Sequence, residues 1–163
     1  MSVIASQQMD LTGIPIKQDA CVVLVSTEWN LNIINELERG AKSVLEQAGV
    51  KVKIIKVPGV IEIGFAIKNY WDTFGQIEKE HPDAFIALGC VIKGDTPHFD
   101  YVCQSVTQAV THLNLHLPTP VIFGILTVNN HLQAFERIGG RAGHKGIEAA
   151  VTALKMMAIH HSF

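Results

Sequence analysis

The chain has 163 residues, 48% of them hydrophobic and 17% charged, enough apolar content for one domain with a substantial core, and no linker divides it. A formal net charge of −2 supplies no basic surface of the kind that attracts nucleic acid or an anionic membrane, so neither partner is expected. The three cysteines, Cys21, Cys90 and Cys103, are an odd number without a C-x-x-C pair, which fits buried thiols in a reducing compartment.

Residues 1–19 read as a loosely tied segment, with room for an extra edge strand paired within an assembly. The stretch MSVIASQQMDLTGIPIKQ lacks the charged start and continuous apolar region of an export signal. No apolar run approaches the roughly 20 residues of a membrane span, and the expected location is the cytoplasm. ACVVLVS (20–26) is a β-branched run, and Leu31, Ile34, Leu37, Ala41, Val44, Leu45 and Ala48 follow at three- and four-residue steps: a strand, then a helix. Gly49 ends that helix, KVKIIKV (51–57) is the second strand, Pro58-Gly59 break it, and Ile61 to about Phe74 is a second helix. AFIALGCV (84–91) is a third strand, Phe99 to Leu117 a long helix, and PVIFGIL (120–126) a fourth strand. Two helical stretches, Leu132 to Ile138 and Gly146 to Met157, close the chain around a Gly-rich turn. Alternating strands and helices imply a single-domain α/β sandwich: a four-stranded parallel sheet with helices on both faces, flavodoxin-like.

Ligands collect at the carboxyl ends of such strands, and the chemically unusual residues lie there. The strand ends carry Ser26-Thr27-Glu28-Trp29-Asn30, Pro58-Gly59-Val60-Ile61-Glu62, Lys93-Gly94-Asp95-Thr96-Pro97-His98 and Thr127-Val128-Asn129-Asn130, four loops expected to line one rim. His98 is the candidate acid–base group, because imidazole both gives and takes a proton near neutral pH; an exposed capping histidine has the same local sequence. Asp95 and Thr96 stand at a helix start, where unpaired N–H groups favour an anion such as phosphate, or where they simply cap. Trp29 offers a ring for stacking on a flat heterocycle or for packing over the first helix. Glu62 could accept hydrogen bonds from a heterocycle or merely suit the helix dipole. FERIGGRAGHKG (135–146) reads either as a solvated turn or as an anion clamp. Neither G-x-x-x-x-G-K-[ST] nor G-x-G-x-x-G after the first strand occurs, so nucleotide hydrolysis and dinucleotide binding lack support. His112 and His116, at i and i+4, are half of a zinc site without an obvious third ligand.

VPGVIEIGFAIK (57–68), ALGCVIKGDTPHFDYV (87–102), PVIFGILTVNN (120–130) and QAFERIGGRAGHKGIEAA (133–150) together resemble lumazine synthase of riboflavin biosynthesis. The resemblance runs from about residue 13 to 158. It implies condensation of 5-amino-6-(D-ribitylamino)uracil with 3,4-dihydroxy-2-butanone 4-phosphate, releasing phosphate and water, with neither metal nor organic cofactor. Trp29 then matches the position that stacks on the pyrimidine. Val60, Ile61 and Glu62 match the segment holding the ribityl chain and ring edge, and Cys90, Val91 and Ile92 match the strand end beneath the ring. Asp95 and Thr96 would offer backbone donors to the phosphate, His98 would be the acid–base residue, and Phe123 would pack on the pyrimidine from an adjacent subunit. Arg137 would bind the phosphate, while Lys145 and Glu148 would contact substrate and orient His98. The resemblance further implies pentameric rings, a hollow shell of roughly 60 subunits, and a possible association with riboflavin synthase. Departures from the family pattern are Cys90 for threonine, Ile61 for an aromatic, Arg141 for lysine and His144 for asparagine. The last two lie in the turn used for assembly and bear on a lone pentamer against a shell. The rival readings are a phosphosugar lyase or isomerase, which needs no stacking pair, and a non-catalytic lumazine or flavin carrier.

Overall fold

A computed structural model of the chain describes residues 10–162. Cys21–Thr27 forms β1, buried along its whole length, as suits a central strand covered on both faces. Leu31–Gln47 is α1, which buries Ile33, Ile34, Leu37, Ala41 and Leu45, the stripe a helix lying on a sheet requires. β2 is Lys51–Val57, and a single 3₁₀ turn, Val60–Glu62, leads into α2, Ile63–Phe74. β3 (Ala84–Ile92), α3 (His98–His116) and β4 (Val121–Val128) follow. The chain then forms α4 (His131–Phe135), two short strands, β5 (Ile138–Gly140) and β6 (Gly143–His144), and α5 (Lys145–His161).

The four long strands are parallel in the order β2-β1-β3-β4, the flavodoxin-like arrangement. One face carries α1 and α5 over a core that includes Leu24, Ile34, Leu37, Ile86, Leu88 and Leu154. The other carries α2 and α3 over Val23, Ile63, Ile67, Phe85, Val110 and Ile125. β2 lies at an edge, which explains why KVKIIKV alternates where the inner strands are continuously apolar. Its Lys51 pairs with Asp19 at 2.7 Å, and Lys53 and Lys56 pair with Glu80 and Glu38; such charges deter edge-to-edge association.

Within the single chain, residues 10–19 form no strand, and Leu11 and Ile16 pack on the first core; the edge strand is an expectation for the assembly, and the rest of that segment, residues 1–9, lies outside the described residues. Two sequence expectations change. The helix expected over Leu132 to Ile138 ends at Phe135. The Gly-rich turn is an antiparallel hairpin in which Ile138 pairs with His144. Gly139 and Gly143, with φ of 115° and 88°, adopt there a backbone that side-chain-bearing residues avoid.

At the opposite end of the sheet from the strand-end loops, Asp83 is buried just before β3. It accepts the Cys21 amide at 2.8 Å and the Lys17 ammonium at 3.2 Å, and His161 approaches it at 3.7 Å. One carboxylate thus ties the start of β1, the segment before it and the last turn of α5.

Candidate active site

Chain connections leave the sheet in opposite directions on either side of β1 and β3, and a crevice forms at the carboxyl ends of strands at such a reversal. A cleft of about 480 Å³ opens there, lined from the loops after β1 and β2, the end of β3 and the first turns of α3.

The first loop is held from two sides. The Glu28 N–H donates to the Val57 carbonyl at 2.9 Å and the Trp29 N–H to that of Pro58 at 3.4 Å, joining it to the second loop. Asn30 has φ 58° and ψ 44°, a left-handed conformation that asparagine tolerates, and its Nδ2 donates to the Cys90 carbonyl at 2.9 Å. Between these anchors the Trp29 ring stands 72% exposed. It therefore lies at the cleft mouth and not in the core.

Val60 is pressed onto β3 because Gly89 bears no side chain; a Cβ there would lie 2.5 Å from Val60 Cγ1. Glu62 Oε2 accepts the Gly59 N–H at 3.0 Å, so the carboxylate closes the 3₁₀ turn as well as lining the cleft. Cys90, Val91 and Ile92 form the floor. Burial pushes the Cys90 thiol up to about 11, which leaves it protonated at neutral pH and unfit as a nucleophile. Gly94, Thr96 and His98 complete the far wall, His98 being the first residue of α3 and exposed. Asp95 sits beside them, exposed in the same loop.

The fourth strand end behaves differently from expectation: of its loop, only His131 reaches this cleft. Sequence reasoning passed over His131, although its place just after Asn129-Asn130 at a strand end was the available signal. Phe123 borders a separate hollow with Cys103 and Thr107. Arg137 and Lys145 border a third, beside Gln133 and Glu136. Arg137 donates from Nη1 and Nη2 to the two oxygens of Glu148, each at 2.7 Å, and Nη1 also donates to the Ala142 carbonyl. This fork holds Arg137 above and Glu148 below their ordinary values. Lys145 Nζ lies 4.0 Å from Glu148. Within the chain, then, Glu148 grips Arg137 and stands outside the cleft of His98. That cleft has no lysine or arginine among its described lining residues.

His112 and His116 stack with centroids 3.9 Å apart, and His116 Nδ1 bonds the His112 carbonyl at 2.8 Å. Among the described residues no three metal-binding side chains gather, nor is any helix long and apolar enough to cross a membrane.

Comparison with known proteins adds a decisive match: the family model described as 6,7-dimethyl-8-ribityllumazine synthase covers residues 19–161. The chain belongs to that family. Relatives bearing that name include proteins of Parabacteroides distasonis, 45% identical over 92% of this chain and 92% of its own length, and of Porphyromonas gingivalis, 46% identical over 92% and 91%. A Phocaeicola vulgatus relative is 43% identical over 91% and 86%. In this lumazine synthase family chain, an exposed indole, a carboxylate, an imidazole and a helix start face one cleft. The set can stack a planar ring, bind its polar edge, move a proton and receive an anion.

Proposed function

We propose that the chain condenses 5-amino-6-(D-ribitylamino)uracil with 3,4-dihydroxy-2-butanone 4-phosphate to 6,7-dimethyl-8-ribityllumazine, releasing phosphate and water, in the cleft at the strand ends. The observation that carries the site assignment is the convergence of Trp29, Glu62 and His98 on one cleft in a chain of this family.

Trp29 stacks on the pyrimidine, and Val60, Ile61 and Glu62 hold its ribityl chain and ring edge. Cys90, Val91 and Ile92 lie beneath the ring. Thr96 and Asp95, at the start of α3, offer backbone donors to the phosphate. His98 takes and returns protons as the amine adds to the carbonyl, water leaves to give the imine, and phosphate departs. Holding the two substrates together contributes more than proton transfer, since proximity alone can be worth several orders of magnitude.

A doubly charged phosphate needs more than helix-start donors, yet the described lining of this cleft has neither lysine nor arginine. Arg137 therefore comes from a neighbouring copy, accompanied by Lys145 and Glu148, and Phe123 of that copy packs on the pyrimidine. In this reading each site spans an interface of a pentameric ring, and rings assemble into a shell of roughly 60 subunits in the cytoplasm; riboflavin synthase is the candidate companion.

An absorbance assay with both substrates tests the reaction. Growth of the lumazine band that requires both compounds, with stoichiometric phosphate release, is expected. Uptake of product without turnover indicates a carrier, and phosphate release from the four-carbon substrate alone indicates a lyase.

A further inference from the structure

The hairpin carries one buried polar side chain that the proposed site does not use, His144, only 7% exposed. Its ring sits against α1 at Gly40, where a Cβ would come within 2.7 Å of both ring nitrogens. Its Nδ1 accepts the Ile147 N–H at 3.4 Å, capping α5. A neutral ring that accepts at Nδ1 carries its proton on Nε2, which is buried and unpartnered among the described residues. The backbone on either side is tied to Arg137: His144 pairs with Ile138, and the Lys145 N–H donates to the Arg137 carbonyl at 2.8 Å. One turn into α5 stands Glu148, which accepts from both terminal nitrogens of the Arg137 guanidinium.

We propose that His144 is a positioning residue for the synthase reaction, its neutral ring wedged between Gly40 and the first turn of α5 so that the Glu148–Arg137 fork is fixed in the stance that meets the substrate phosphate. The inference rests on the reading of Arg137 as the phosphate ligand. A second proton can be placed only on Nδ1. Adding it removes the acceptor for Ile147 and sets a buried cation near Arg39 and Glu36 of α1 and Glu148 of α5. Burial first, and Arg39 next, hold the imidazole below its ordinary value near 6.5, with Glu36 and Glu148 opposing them. The ring is therefore neutral at neutral pH, and acid loosens the fork.

The test compares the wild-type chain with His144→Asn, which keeps an acceptor but cannot titrate, His144→Leu, which fills the space without one, and Arg137→Ala. Steady-state constants for each substrate are measured from pH 8 to pH 5, with amide exchange at Ile147 followed in parallel. His144→Leu is expected to raise the KM for the phosphorylated substrate about 10-fold at every pH, leaving that for the pyrimidine unchanged. His144→Asn is expected to rescue it and to lack the acid rise in KM and in Ile147 exchange that the wild type shows. Should His144→Leu not fold, the difference between wild type and His144→Asn below pH 6.5 carries the test. If Arg137→Ala raises the phosphate KM while wild type, His144→Leu and His144→Asn share one pH profile, the role of His144 is overturned alone. If Arg137→Ala leaves that KM unchanged, the Arg137 reading falls and takes this inference with it.

Discussion

His98 is exposed at the first residue of α3, so its replacement removes chemistry and almost no packing. His98→Ala is expected to slow turnover by about 10- to 1000-fold, the usual worth of one general acid–base group, with an unchanged melting temperature; unaltered turnover across the pH range would dismiss the assignment. Trp29 is likewise unburied, and Trp29→Ala should raise the pyrimidine KM by about 2- to 10-fold through lost stacking while sparing that of the phosphorylated substrate. Equal changes in both constants would return the ring to a structural role. The residues that sequence made visible are those whose chemistry is local: Trp29, Glu62 and His98 each follow a strand, where the fold itself collects ligands. His144 was not legible in the same way. Among glycines and basic residues it reads as solvated, and only the bare Gly40 surface, more than 100 positions earlier in the chain, makes a buried berth for it.

Secondary elements were legible wherever periodicity is strong, as in β1, α1 and β3. The hairpin of β5 and β6 escaped because three and two residues cannot display a period, and because Ile138 continues the apolar spacing of α4 before the glycines interrupt it. Pairing between elements is also where the acid response arises. A histidine held below its ordinary value binds its proton in the unfolded chain first, so the stability it permits is present above pH 6.5 and is lost as the pH falls from there toward its folded value. Glu148, held low by Arg137, adds a loss of the same sign in the carboxylate range. Urea titrations should find the wild type losing stability between pH 6.5 and 5 more steeply than His144→Asn; parallel curves would place the acid response elsewhere. Asp83 joins elements too. Asp83→Ala strands the buried Cys21 amide and is expected to cost about 1–3 kcal/mol, seen as a drop of roughly 2–12 °C in melting temperature.

For the whole molecule, the single chain leaves Trp29, Phe65, Tyr101, Leu115, Leu132 and Phe135 at least half exposed, side chains that an assembly would have available to bury. A particle of five or sixty 17.8 kDa chains is the expected result of sedimentation, and a monomer would remove the shared-site model. Co-refolding equal amounts of His98→Ala and Arg137→Ala chains supplies a sharper check. Random assortment around a ring makes about a quarter of the interfaces intact at both residues, and activity should exceed that of either parent. Activity at only the parental average, with exchange demonstrated, would assign the site to one chain. The Asp83 junction has a consequence for engineering. Because Lys17 and His161 reach the same carboxylate, the segment before β1 and the last turn of α5 meet through their side chains on the side away from the cleft. A peptide bridge of a few residues between those positions could link them, and the polypeptide could instead be opened in the exposed stretch after α2, at Gln76 to Lys79. Such a circular permutant should keep its catalytic cleft intact, since neither the new junction nor the new opening touches a strand's carboxyl end.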